Sequence, residues 1–180
     1  IPARNEEAFI GKTLEHLVNQ KQKPDRIVVV DDGSTDKTTD IAKRYKAYVI
    51  RLPNSGYKAG RPELAEVINK GFRALSKTTK FDYVIVLGAD HPLPPTYIEK
   101  MVARMEKDKK LVMASARILG EPSHAEVPNP SGRIYRLAFM REIGLFPINY
   151  GWEDYPLYKA LMMDYHVRFF HDIVSSQQRA

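Results

Sequence analysis

No cysteine occurs among the 180 residues. The chain therefore forms no disulfide and no thiolate metal site, which fits a reducing compartment. Long apolar runs are missing too. No stretch approaches the ~20 consecutive apolar residues a membrane-spanning helix needs, and the opening residues carry no signal-peptide pattern. A cytoplasmic location is the expectation, with peripheral association at the cytoplasmic face of a membrane as the membrane contact that its basic charge allows. Internal repeats, low-complexity tracts and a linker that would divide the chain are all absent. No G-x-G-x-x-G turn follows an apolar strand, which disfavours a dinucleotide-dependent dehydrogenase.

What is present is the composition of a soluble globular domain, with 43% hydrophobic and 28% charged residues and enough length for one sizeable core. The first residue is Ile1 rather than Met, which reads as a segment of a longer chain. The net charge of +6 comes from scattered cations such as Lys107, Lys109 and Lys110. These read as solvated faces. A nucleic-acid module would show an aromatic-plus-basic stripe, so no nucleic-acid partner is expected.

Glu7 to Gln20 carries Ile10, Leu14, Leu17 and Val18 at helical spacing. Ile27 to Val30 is a continuous β-branched run, suited to a parallel sheet covered on both faces. Gly33-Ser34-Thr35-Asp36 supplies turn and capping chemistry, with Asp36 as a helix N-cap. A helix to about Tyr45, a strand at Tyr48 to Leu52, a helical stripe from Leu64 to Leu75 and a strand at Asp82 to Leu87 follow. Tyr97 to Met105 reads as a helix and Leu111 to Ile118 as a strand. Beyond a loop-rich stretch from Gly120 to Gly132, Arg133 to Ile143 reads as helical, Asp154 to Tyr165 as a helix and Val167 to Phe170 as a last strand. The alternation predicts an α/β sandwich around a mostly parallel sheet.

Two of these strands run into carboxylates, IVVV into Asp31-Asp32 and YVIVLG into Asp90. In open α/β sheets ligands bind outside the carboxyl ends of the strands. Carboxylates gathered there repel one another unless a metal ion or a hydrogen-bond donor compensates.

The ordered set IPARNEEAFIGKTLEHLVNQ, DRIVVVDDGSTDKT, NSGYKAG, VIVLGADHPLPPTYIEKM, REIGLFP and GWEDYPLY resembles the family 2 glycosyltransferases over nearly the whole chain. The resemblance implies that the first residues of strand one precede Ile1. It implies one GT-A domain over residues 1–180, with 1–119 as the nucleotide-sugar half and 120–180 as the acceptor half. It also implies a UDP- or GDP-linked donor, Mn2+ or Mg2+, and a saccharide, lipid-linked or protein acceptor.

By that resemblance Asp32 accepts a hydrogen bond from the base. A fixed carboxylate suits the imide N–H of uracil or the N1–H edge of guanine. Pro2, Ala3 and Glu6 match positions lining the nucleotide pocket, and Lys58 and Arg61 lie where a basic residue nears the donor diphosphate. The family's Asp-x-Asp metal motif reads Gly88-Ala89-Asp90 here. Ala89 and Asp90 are kept as donor-site positions and Asp90 as the metal contact, while the first carboxylate is missing. His91 is a further candidate ligand, although Mg2+ and Mn2+ prefer oxygen. His171, at the end of the last strand, matches a metal-binding histidine of some relatives. Asp154, with Glu153 beside it, matches the general base of inverting members, and Tyr150 and Trp152 offer flat faces for a sugar. The missing first aspartate also supports an alternative, a nucleotide-sugar-binding or regulatory domain whose catalysis has decayed.

Overall fold

The computed structural model describes residues 1–56, 58, 60–75, 81–120 and 130–179. The first half builds a parallel sheet in the order β1-β2-β3 from β1 (Pro2–Ala3), β2 (Val28–Asp32) and β3 (Tyr48–Leu52). Helices α1 (Ile10–Val18), α2 (Thr38–Arg44) and α3 (Pro62–Leu75) connect and cover it. All five residues of β2 are buried. Val29 packs in the cluster with Ile10, Leu14 and Leu17 of α1, while Val28 and Val30 pack with Val67 of α3. Burial on both faces is why the strand is apolar without alternation.

The second sheet has the order β4-β6-β5-β7. It comprises β4 (Tyr83–Val86), β5 (Leu111–Leu119), β6 (Arg133–Arg136) and β7 (His166–Ser176), with α4 (Tyr97–Lys107), α5 (Leu137–Glu142) and α6 (Tyr155–Met162) packed around it. Here β5 and β7 are parallel, and β6 is antiparallel to both of its neighbours. The fold is thus mixed α/β, mostly parallel and flanked by helices.

Two elements depart from the sequence reading. Only Leu137–Glu142 of the expected helix at 133–143 is helical, because Arg133–Arg136 forms the strand between β4 and β5. Covered on both sides, its Ile134 and Tyr135 give no alternation, and so short a run carries no decisive period. The last strand runs on to Ser176, pairing with β5 as far as Leu119 across an irregularity between Ala116 and Arg117. His171 therefore lies inside β7 and not at its end.

A buried side-chain amide braces the halves. Asn69 of α3 donates from Nδ2 to the Phe146 carbonyl at 2.8 Å and accepts from the Phe146 N–H at 3.2 Å. An apolar cavity of about 470 Å³ separates β2 from β4, lined among others by Val28, Phe72 and Ile85. Its rim reaches Asp25 and Asp82, which precede β2 and β4. It runs along β4 from Asp82 to Leu87, and Asp31, Asp32 and Asp90 do not line it.

Candidate active site

The two aspartates that end β2 have separate tasks. Asp31 is fully buried. Its carboxylate accepts from the Ser34 N–H at 2.9 Å and the Thr39 hydroxyl at 2.5 Å, which pins the turn into α2. Asp32 is equally buried and accepts from the Ser55 N–H at 3.0 and 3.1 Å and from the Ser55 hydroxyl at 2.8 Å. The Arg4 guanidinium stands 3.7 Å away. Gly33 between these segments has φ +72, and a Cβ there would lie 2.6 Å from the Asn54 nitrogen. The 53–55 loop can close over Asp32 only because residue 33 is glycine.

Asp36 accepts from the Thr38 N–H at 2.9 Å, the Thr38 hydroxyl at 2.6 Å and the Glu7 N–H at 3.0 Å. It clasps the start of α2 to the segment after β1. Ala3 and Ala89 place their methyl groups in the core cluster, and Pro2 pairs with Val30 in the first sheet. These three contribute packing and backbone here, with no polar side chain.

After β4 the chain is held by Ser131, whose hydroxyl accepts from the Gly88 N–H at 2.9 Å. His91 is fully buried, with Nδ1 2.7 Å from the Ser131 hydroxyl and Nε2 2.8 Å from the Ser175 hydroxyl. Burial lowers its pKa to about 4, against an opposing pull from Asp90. Both ring nitrogens are occupied, so His91 is a neutral structural tie and not a free ligand. At Gly88 a Cβ would stand 2.9 Å from Asp90 Oδ1 and 3.2 Å from the Ser131 hydroxyl. A side chain at the position that lost the motif's first carboxylate would have to turn aside the Asp90 carboxylate and the Ser131 hydroxyl.

Asp90 accepts no hydrogen bond on its carboxylate among the described residues; its nearest cation is Arg179, whose Nε is 3.8 Å away. Arg179 is held more firmly by Glu6, with Nη2 to Oε2 at 2.5 Å, and its guanidinium lies over the Phe9 ring at 4.6 Å. The Gln178 N–H donates to the Asp90 carbonyl at 2.8 Å, and Gln178 Nε2 donates to the Phe9 carbonyl at 3.1 Å. Burial raises the Glu6 carboxyl, Arg179 opposes this, and the fields of Asp90 and Asp36 push it further up. The segment after β1 thus spans the crevice, with Arg4 beside Asp32 and Glu6 in the field of Asp90. Sequence reasoning missed Gln178 and Arg179, which no local motif marks; Arg179 meets Glu6 and Gln178 meets Phe9 from the far end of the chain.

His171 is exposed, with its ring against Phe169 at 4.7 Å. Its neighbour Asp172 pairs with Arg104 of α4 at 2.6 Å. The structure does not bring His171 to Asp90; Gln178 and Arg179 occupy that side. Among the described residues no three His, Cys, Asp or Glu side chains gather as a metal cluster. Of the described residues at this strand end, Asp90 offers a carboxylate that accepts no hydrogen bond, the kind of oxygen donor a hard cation needs. Mg2+ is commonly held by one or two carboxylates together with substrate phosphates and water, and the site fits a divalent ion in that limited sense.

The acceptor-side candidates hang on the same frame. Gly132 donates from N–H to the Val86 carbonyl at 2.9 Å. Buried Arg133 donates to the Glu153 carbonyl at 2.8 Å and lies 3.3 Å from the Tyr135 hydroxyl. Residues 131–133 thereby link the Gly88–Asp90 turn to Glu153. Burial raises the Glu153 carboxyl, Arg133 opposes it and Asp154 adds to it. Asp154 occupies the cap position of α6, yet its side chain makes no capping bond, and among the described residues its carboxylate has no hydrogen-bond partner. Trp152 is a core residue, buried and edge-on to Phe146 at 5.2 Å. Tyr150 is 70% exposed, and its hydroxyl accepts from Arg61 Nη1 at 2.6 Å. Lys58 is exposed, while Tyr57 and Ala59 of the same loop lie outside the described residues.

The chain is 38% identical over 103 residues to an uncharacterised protein of Methanocaldococcus jannaschii, covering 57% of this chain and 38% of that one. It is 30% identical over 122 residues to the chondroitin synthase of Pasteurella multocida, covering 65% of this chain and 12% of that enzyme. The chain thus spans a minor part of these relatives. A mannosyltransferase from Pyrobaculum calidifontis, solved in complex with GDP-Man and Mn2+, superposes with a TM-score of 0.79 at 20% identity, over 99% of this chain and 55% of that one. Glucosyl-3-phosphoglycerate synthase from Mycobacterium tuberculosis, solved with Mn2+ and UDP-glucose, superposes with a TM-score of 0.73 at 20% identity, over 99% and 70% of the two chains. The family model of Glycosyl transferase family 2 matches residues 1–163, and with a GT-A fold shared with these enzymes the chain belongs to that family.

Proposed function

We propose that the chain moves a sugar from a nucleoside-diphosphate sugar to an acceptor hydroxyl with inversion, residues 1–119 binding the donor and 120–180 carrying the acceptor side. The observation that carries this reading is the Asp154 carboxylate, unbonded among the described residues and joined through Arg133 and Ser131 to the turn that holds Asp90. The acceptor oxygen loses its proton to Asp154 as it bonds to the anomeric carbon. The bond from that carbon to the diphosphate breaks on the opposite face, and the diphosphate leaves with the electron pair. One displacement needs no enzyme nucleophile. Glu153, whose carboxyl is raised by burial against the pull of Arg133, stands beside Asp154 as the second carboxylate of the pair.

Asp32 reads the base once Ser55 yields its place, and Lys58 and Arg61 lie on the loop that follows. Pro2 and Ala3 offer the donor only backbone, as does Ala89. Asp90 would hold a divalent ion, which would supply positive charge to the departing diphosphate; Mn2+ in the two similar structures supports that choice, and their GDP- and UDP-linked sugars support a uracil or guanine donor. The acceptor is a saccharide, a lipid-linked sugar or a protein, met in the cytoplasm or at the cytoplasmic face of a membrane. No helix among the described residues is long and apolar enough to cross a membrane. The crowding at Gly88 favours the second reading, a donor-binding domain without turnover.

A thermal-shift screen with UDP-, GDP- and dTDP-sugars in Mn2+ and in EDTA tests donor binding. A ligand at a hundredfold its dissociation constant adds about 2.7 kcal/mol. A shift with the UDP or GDP series in Mn2+ is expected, and no shift with any sugar nucleotide would reject both readings.

A further inference from the structure

We infer that Arg179, carried by the tail that follows β7, is a diphosphate-binding residue of the donor site. The inference rests on the nucleotide-sugar reading and adds a residue from the acceptor half to the donor side. Two contacts hold the guanidinium and one holds the backbone beside it. Glu6 holds it at 2.5 Å, the Phe9 ring lies beneath it at 4.6 Å, and the N–H of the preceding residue, Gln178, donates to the Asp90 carbonyl at 2.8 Å. An arginine so restrained has less rotamer freedom to lose on binding, and its planar fork of donors matches phosphate oxygens. It ends 3.8 Å from Asp90, the carboxylate open to a cation. A phosphate oxygen bound to a metal ion at Asp90 would lie beside Arg179.

Charge determines when this contact forms. Glu6 and Asp90 together outweigh the single guanidinium, so without a metal ion the cluster is net negative and repels a diphosphate. A divalent cation at Asp90 reverses that sign. Arg179 is therefore a phosphate ligand chiefly in the presence of the ion. Its side chain is half exposed and supports no buried network, so its removal spares the fold.

The test is calorimetric titration of the whole chain with UDP and with GDP, in Mn2+ and in EDTA, beside NMR titration with uridine and guanosine. Arg179→Ala should weaken the better nucleoside diphosphate by roughly ten- to a hundredfold in Mn2+, the loss of one or two charge-assisted hydrogen bonds. It should leave the matching nucleoside unaffected. The effect should be smaller in EDTA, and Arg179→Lys should recover part of the affinity. Unchanged diphosphate binding in Arg179→Ala would overturn the assignment. Tighter binding would too, since it would make Arg179 a plug that the ion must expel. If the wild-type chain binds neither UDP nor GDP in Mn2+, the nucleotide-sugar reading falls first; if it binds one and Arg179→Ala matches it, only the role of Arg179 falls.

Discussion

Glu153 and Asp154 are adjacent in the chain yet live in different surroundings. Glu153 has its carbonyl on Arg133 and its carboxyl raised by burial, whereas Asp154 heads α6 with a carboxylate that caps nothing. A cap residue whose side chain declines the free N–H groups of the first turn is available for other chemistry. Asp154→Asn should lower turnover by roughly 10²–10⁴, the usual share of a positioned general base, with donor affinity unchanged. Steady-state kinetics beside donor titration would check this. Normal turnover in Asp154→Asn with a dead Glu153→Gln would move the role to Glu153. At this scale the sequence singled out Asp32 and Asp154 by residue type and motif. It was silent on occupancy. Nothing in DDGST says that Ser55 already fills Asp32, and nothing in GADH says that a Cβ at Gly88 would meet Asp90.

Among the elements, α1, α3 and β2 of the first half were readable because each of these two helices has one apolar stripe and β2 is covered twice. Strand β6 was not, because a four-residue run buried on both sides has no period to display. The extent of β7 was hidden for another reason. HDIVSS is polar enough to end a strand, and only pairing with β5 past the irregularity keeps it extended. His91 ties three of these pieces, joining the turn after β4 to Ser131 before β6 and Ser175 in β7. Its pKa of about 4 when folded lies below the ordinary histidine value of 6.5. The unfolded chain takes up the proton first, so the tie gives its full stability above about pH 6.5 and loses it as pH falls toward 4. By pH 5 the loss is about 2 kcal/mol. Raised carboxyls at Glu6 and Glu153 act with the opposite sign, so the comparison is between proteins. Urea unfolding in EDTA at pH 7.5 and pH 5 should show a smaller pH-dependent loss in His91→Asn than in the wild type. Equal losses would mean that His91 does not titrate with folding.

At the scale of the whole molecule, two sheets share no strand pairing but do share a core. Leu14 and Val29 of the first sheet's side lie in one cluster with Met101, Leu111 and Ile134 of the second, and Asn69 adds its buried amide bonds to Phe146. A common core favours one cooperative transition, and coincident curves from different probes are its test. The donor-side cluster of Glu6, Asp90 and Arg179 also exists only at this scale, since chain closure and not spacing assembles it. The chain carries one tryptophan, and Trp152 is buried edge-on to Phe146 one residue from Glu153. The molecule therefore contains a single indole fluorophore beside its ten tyrosines, seated in the second half two residues from the proposed base. Its emission should redden on denaturation in step with the loss of far-ultraviolet ellipticity, which both halves supply. An early change in one signal would show the halves melting separately. In the folded protein the same indole makes a label-free optical gauge of events beside Glu153, with the first sheet contributing no tryptophan signal of its own.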